Sequence, residues 1–267
     1  MKTGFTTRLV WLLAASMLTG CTSTPTDSDR KSPSENSRTT ETFTSGSYTV
    51  PENRRTSTII WSAEPGIDLF GNKATLARAA IEADAIALAN PITASYPGFA
   101  RTIDQETKDQ YLEFPATHHI EVGTGYFHIM RIEPTDTGFI AHTCYQTSNI
   151  AVKNIDARYS RTVTTGHSNL KFVFERTPTD DASLAATSPT EPTSTPPIDS
   201  TGQPQWQAPT YDVFAGWNIN IDGSSGRDHT QACRQWGHQY APDAIENEHF
   251  ILTTDTPPDT LPAYPGW

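Results

Sequence analysis

Apolar positions along the chain fall into three blocks separated by runs that have almost none. The longest block covers residues 48–176. Within it, 56–62, with Ile59-Ile60-Trp61 at its centre, is a short apolar run of strand type. Asn72 stands where it would cap a helix over 73–89, an Ala-rich stretch ended by Asn90-Pro91. Ala77, Ile81, Ala85 and Leu88 follow at spacings of four, four and three. That spacing predicts one buried face, with Arg78 and Glu82 on another. A second helix is predicted within 99–112, after Pro97-Gly98 and before Pro115. The pattern then changes to strands: 122–133, the turn signal Pro134-Thr-Asp-Thr-Gly138, and 139–147 read as a hairpin, and 150–159 and 170–176 supply two more strands. Helices first and a meander afterwards is an α+β order, with the helices packed on one face of an antiparallel sheet.

Another block, 210–252, carries the strand-like Trp217-Asn-Ile-Asn-Ile221, the turn-rich Asp222-Gly-Ser-Ser-Gly226, then Cys233 and Trp236. Forty-odd residues are near the lower limit for folding alone, so this segment is expected to dock onto the first domain. The intervening runs are of low complexity. Of the 26 residues in 22–47, 16 are Ser, Thr or Pro, and the only aromatic is Phe43. Such a run buries too little apolar surface to offset its ordering entropy, so 21–47 reads as a disordered tether. As a flexible coil it would hold the folded part roughly 25–30 Å from its start. Residues 177–209 read as a second linker, and 253–267, with Pro257, Pro258, Pro262 and Pro265, as an extended tail. The terminal Pro262-Ala-Tyr-Pro-Gly-Trp267 has three open readings: a peptide for a partner, a peptide docked on its own domain, or a frayed end.

The remaining apolar block is 9–18, ten residues behind Lys2 and Arg8. Ten residues at about 1.5 Å each cannot cross a hydrocarbon core of about 30 Å, which makes 1–20 a signal segment rather than a span. The residues that follow, Leu18-Thr19-Gly20-Cys21, resemble the lipobox of bacterial lipoproteins. The resemblance implies a diacylglycerol thioether on Cys21 and cleavage before it, which places the mature chain on the extracytoplasmic face of a cell membrane. Two acyl chains make a stable anchor where one is marginal. Lipidation of Cys21 leaves two of the three cysteines, Cys144 and Cys233, in a compartment that permits disulfides, and they are expected to pair.

Composition sharpens this picture. Hydrophobic residues make up 36% of the 267, a low share that the linkers account for. The net charge of −11 becomes 17 − 30 = −13 once Lys2 and Arg8 are removed. That excludes nucleic acid as a partner and opposes an anionic membrane surface, so membrane attachment falls to the lipid chains.

The helices-then-meander order is similar to the cone-shaped fold of nuclear transport factor 2-like domains, in which helices cover a curved sheet and leave a cavity. The tethered layout, the segment Gly125-Tyr-Phe-His-Ile-Met-Arg-Ile132 and the Pro-rich end with its last Trp resemble envelope lipoproteins of actinobacteria. In such a cone, Tyr126, His128, His142 and Tyr145 on the hairpin would line a cavity for a small apolar ligand.

Catalytic motifs are absent. Asp222-Gly-Ser-Ser-Gly226 beside Asp228-His229 is not a nucleophile elbow, because its glycines are three apart. There is no H-E-x-x-H motif, no phosphate-cradling Gly loop and no dinucleotide fingerprint, and no cofactor is assigned. Four histidines, His118, His119, His128 and His142, lie in or beside the hairpin. If even positions oppose even ones, His128 and His142 share a face, whereas Glu121 and Glu133 have the other parity. Two imidazoles fall short of the three or four ligands zinc takes, so no metal is assigned. The expected function is a non-enzymatic binding or accessory module of the envelope. The alternative is an envelope enzyme in which His128 or His142 works with a cavity carboxylate as acid and base.

Overall fold

The structure is a computed structural model that describes residues 48–113, 119–164, 168–177, 198–222, 227–242, 244 and 249–267, all within one compact unit. The expected leader (1–20) and tether (21–47), His118 and residues 223–226 lie outside the described residues. The chain is α+β; the described residues form five α-helices, mostly N-terminal, and eight strands in one open sheet.

A short helix α1 (Glu52–Arg55) leads into strand β1 (Ser57–Ala63), and the long helix α2 (Asn72–Ala87) follows. After a 3-10 turn (Ile92–Ala94) come α3 (Phe99–Thr102) and α4 (Gln105–Glu113). The hairpin β2 (Glu121–Pro134) and β3 (Gly138–Gln146) is then followed by β4 (Ile150–Lys153), β5 (Tyr159–Thr164) and β6 (Ser168–Arg176). β7 (Trp217–Asp222), α5 (Arg227–His238) and β8 (His249–Thr254) complete the order. The strands lie in the order β7-β6-β3-β2-β4-β5-β8, and β1 also pairs with β2. That pairing is parallel and all the others are antiparallel. The stretch from β1 through the helices to β2 is therefore a crossover, the connection that parallel neighbours require.

The core lies between α2 and one face of the sheet, here called the inner face. Trp61, Phe127, Ile129, Phe139, Phe172 and Phe174 point into it. α2 is buried nearly all round, which departs from the one-sided reading. Arg78 and Glu82 are only 2% and 3% exposed, while Leu88, expected on the buried face, is 40% exposed. The reason is tertiary. Residues 206–207 and the C-terminal segment cover the face that carries the two charges. A helix enclosed on all sides needs small residues all round, and its alanines supply them. Its N-cap is Gly71 rather than Asn72, which is already helical.

Other boundaries differ for local reasons. The single helix expected within 99–112 is two, because the buried Ile103 is extended and bridges to Ile219; Asp104 then caps α4 by accepting the Thr107 N–H at 2.7 Å. Gly98, at φ +86°, opens α3 where a Cβ would meet the Asp212 carboxylate. The strand expected over 150–159 is broken by a turn in which Ala157 N–H donates to Asn154 O at 3.0 Å.

The C-terminal third departs most from the sequence reading. Residues 210–252 are joined to the first domain as expected, by the Cys144–Cys233 disulfide, and go further: β7 pairs with β6 and β8 with β5, so the segment supplies both ends of the strand order. Helix α5 and strand β8 have no counterpart in the pattern reading. The expected 177–209 linker is packed at its far end, where Trp206 is buried and its indole donates to Tyr96 Oη at 2.7 Å. Of the three readings of the last residues, docking on their own domain is the one observed. Trp61 N–H donates to Tyr264 O at 2.6 Å and Tyr264 N–H to Ile59 O at 3.1 Å, which closes the free edge of β1. Among the described residues no helix is long and apolar enough to cross a membrane.

Candidate functional site

The outer face of the sheet, opposite α2, collects most of the residues with candidate chemistry. Successive strand residues point to opposite faces. Phe127 and Ile129 face inward, so Tyr126 and His128 face outward, with Ile60 and Ser62 beside them on β1 and Cys144 across from His128 on β3. Helix α5 lies over this face, held by a disulfide between Cys144 and Cys233, whose Cα atoms are 5.3 Å apart. Its 89-residue separation corresponds to roughly 4–5 kcal/mol in the chain-entropy view.

Under α5, His128 is enclosed. Its Nδ1 is 2.8 Å from Ser62 Oγ and its Nε2 is 3.4 Å from Glu64 Oε1. The Trp236 indole stacks on the imidazole with ring centroids 5.3 Å apart, and the Tyr240 ring stacks on Tyr126 at 3.9 Å. Burial lowers the His128 pKa, and the hydrogen bond and charge of Glu64 only partly oppose it. A second pair lies nearby, with His142 Nε2 3.1 Å from Glu133 Oε2 and Arg131 Nε 2.8 Å from Glu133 Oε1.

That second pair corrects the parity argument. Cys144 opposes His128, but His142 opposes Arg131, because a β-bulge interrupts β2 between Ile129 and Arg131. The extra residue reverses the alternation, so Glu133 shares a face with His142 despite its odd number. Glu121 has no part in this; it pairs with Arg54 of α1. His119 lies in the exposed connection before β2.

The four residues proposed to line one cavity are divided between the two faces. Tyr126, His128 and His142 face outward, whereas Tyr145 opposes Phe127 and stacks on it inside the core at 5.8 Å. Between α2 and the sheet, Trp61, Phe127, Phe139, Phe172 and Phe174 are buried together with the alanines of the helix. Cys21 lies outside the described residues. Among the described residues no three His, Cys, Asp or Glu side chains are grouped to hold a metal.

Sequence reasoning missed a second constellation, on the inner face. The Glu82 carboxylate accepts hydrogen bonds from Trp61 Nε1 at 2.7 Å, Tyr96 Oη at 2.6 Å and Trp267 Nε1 at 2.7 Å. Arg78 donates to Pro265 O at 3.1 Å, and its guanidinium lies 4.6 Å from the centre of the Trp267 ring. Burial raises the Glu82 pKa, against the opposing Arg78 charge and three donors, and lowers that of Arg78. Further along α2, Asp84 accepts from Tyr111 at 2.5 Å, and burial pushes its carboxyl up to about 6. A cleft of about 200 Å³, open solvent included, lies between Glu82, Trp206, Pro265 and Trp267. Ala263, Pro265 and Trp267 of the chain's last residues form part of its lining. The available signal was two opposite charges one turn apart in a helix otherwise rich in alanine.

Comparison with protein-family models, curated proteins and solved structures finds no match. The chemistry of both constellations therefore rests on their own geometry. On the outer face it is an imidazole with both nitrogens engaged beneath an indole; on the inner face it is a carboxylate saturated by three donors.

Proposed function

We propose that the chain is a lipid-anchored extracytoplasmic module, a non-enzymatic binding or accessory protein of a cell envelope, held to the membrane through Cys21. The observation that carries this reading is the Cys144–Cys233 disulfide. It consumes two of the three cysteines and leaves Cys21, inside Leu18-Thr19-Gly20-Cys21, as the remaining thiol. A disulfide that joins a helix to a sheet suits an oxidising compartment, which a leader and lipobox would reach. The tether and the acidic mature chain fit display away from the bilayer, with an envelope protein or a small apolar ligand as the partner class. The resemblance to actinobacterial envelope lipoproteins points the same way.

One observation favours the enzymatic alternative: His128–Glu64 and His142–Glu133 each bring an imidazole within reach of a carboxylate. Ser62, Glu64 and Trp236 already surround His128, so the binding or accessory reading is preferred. The test is expression of the full chain in a host that processes lipoproteins, followed by detergent phase separation and intact-mass analysis. The wild type should enter the detergent phase with a diacylglyceryl mass on an N-terminal Cys21, and Cys21→Ala should not. A wild type with no lipid mass, or a C21A variant that still partitions into detergent, would sink the proposal.

A further inference from the structure

The sheet is open and ends in three backbone edges, on β7, β1 and β8, which are treated differently. The chain covers two of them. Beside β7, Ile103 bridges to Ile219, and Asn220 Nδ2 donates to Asp104 Oδ2 at 3.2 Å. Beside β1, Tyr264 pairs with Ile59 and Trp61. The third edge is the outer side of β8. Among the described residues, none bonds its backbone to that side.

An exposed edge is normally blunted by charge, by proline, by a bulge or by a covering segment. The β8 sequence His249-Phe-Ile-Leu-Thr-Thr254 contains no Asp, Glu, Lys, Arg or Pro. Its register with β5 runs unbroken over all six residues, from Tyr159↔Thr254 to Thr164↔His249, so no bulge twists it away. It also presents apolar side chains to solvent on both faces of the sheet. Phe250, 41% exposed, lies on the face that carries Val163 and Leu252, and Ile251, 72% exposed, lies on the other beside Thr162. Thr253 O accepts from Arg158 Nη2 at 3.4 Å, and among the described residues no strand pairs with the outer side of β8; an uncharged, β-branched and aromatic strand of this kind is a template for another strand.

We infer that β8 is a self-association edge: two copies of this chain pair β8 with β8, antiparallel about a two-fold axis near Ile251, and join their sheets into one. Antiparallel pairing suits a two-fold, because the same row of donors and acceptors is complementary to itself when inverted. Lack of charge in the strand removes the repulsion that a self-contact between acidic chains would otherwise meet. The Ile251 side chains then lie next to each other across the axis, and on the other face each Phe250 lies opposite Leu252 of the second copy. Two copies fit better than this chain's own 178–197 segment. That segment holds Pro178, Pro189, Pro192, Pro196 and Pro197, and each proline removes a donor from any ladder it joins.

The test uses the full chain carrying Cys21→Ala, with its disulfide oxidised, in sedimentation equilibrium over a range of concentrations. The expected result is a reversible dimer, weakened roughly tenfold or more by Ile251→Lys. Ile251 is mostly exposed and outside the core, so I251K should keep the circular dichroism and thermal transition of the monomer. As a second measurement, hydrogen exchange of Phe250 to Leu252 should become slower as the wild-type concentration rises. A wild type that stays monomeric at every concentration overturns the proposal, as does a dimer that I251K leaves intact. Protection of β8 that is independent of concentration and lost on deletion of 178–197 assigns the edge to that segment and also overturns it.

Discussion

On the inner face of the sheet the covering elements are held by packing and buried hydrogen bonds, whereas on the outer face a single helix is held by a covalent bond. α2 and the C-terminal residues bury a continuous aromatic and aliphatic core, and a carboxylate and a guanidinium within it are matched to specific donors and acceptors. α5 covers a more polar surface in which Ser62, Glu64, His128 and His142 bond to one another or to charged neighbours. Beneath α5 the packing consists of the stacked Tyr126–Tyr240 and His128–Trp236 pairs, and the disulfide adds a covalent hold to them. The difference separates architecture from chemistry. The inner constellation is enclosed by the last residues of the chain, and the outer one by α5.

The strongest way to break this comparison is to remove the covalent hold. Cys144→Ala combined with Cys233→Ala should lower stability by roughly 4–5 kcal/mol in urea unfolding and raise amide exchange in α5 ahead of α2. Exchange that rises equally in both helices would mean the two faces are not independently held. Next in size is Arg78→Ala, which leaves the Glu82 charge buried without its compensating cation and removes the hydrogen bond to Pro265 O and the cation–π contact with Trp267. The expected loss is about 3–5 kcal/mol, with Trp267 fluorescence shifting toward that of a solvated indole. A loss below about 1 kcal/mol would show that the C-terminal residues do not depend on this contact.

The smallest effect sets the two faces in opposite directions along the pH axis. The Asp84 carboxyl ionises near 3.8 when unfolded and near 6 when folded. The unfolded state therefore releases its proton first, and stability falls as pH rises between those values and stays lower above them, by roughly 3 kcal/mol. Asp84→Asn should recover much of that loss near neutral pH and none of it below pH 3.8. His128 has the reverse sign. Its folded pKa lies below 6.5, so its contribution is full above that value and is lost as pH falls through the folded one. His128→Gln should flatten that acid arm in thermal melts, and an unchanged arm would place the titration elsewhere.

The hairpin, the first strand and the long helix were legible because each carries a strong local signal: alternation ended by Pro134 and Gly138, the Ile59-Ile60-Trp61 run, and an alanine-rich stretch ended by Asn90-Pro91. α5 and β8 were not, since their sequences are short and polar or short and flanked by prolines, and their state is fixed by what they lie against. At the site, the pairing of Cys144 with Cys233 could be argued from cysteine arithmetic. The meeting of His142 with Glu133 could not, because a bulge near Met130 reverses a period of two and leaves no mark in composition. Nor could the Glu82 cluster, whose three aromatic donors, Trp61, Tyr96 and Trp267, are spread over two hundred residues of sequence.

By itself the sequence determined the α+β class, most elements of the first domain and the partners of its two paired cysteines, because periodicity, turn residues and thiol count act locally or by simple arithmetic. Only the tertiary structure decided that the docked last third of the chain contributes strands to the sheet, and that one face of α2 carries buried charge. It also decided which carboxylate meets which imidazole. Those outcomes depend on long-range pairing, where each contact is set by the register of strands far apart in the chain and by which surface happens to be covered.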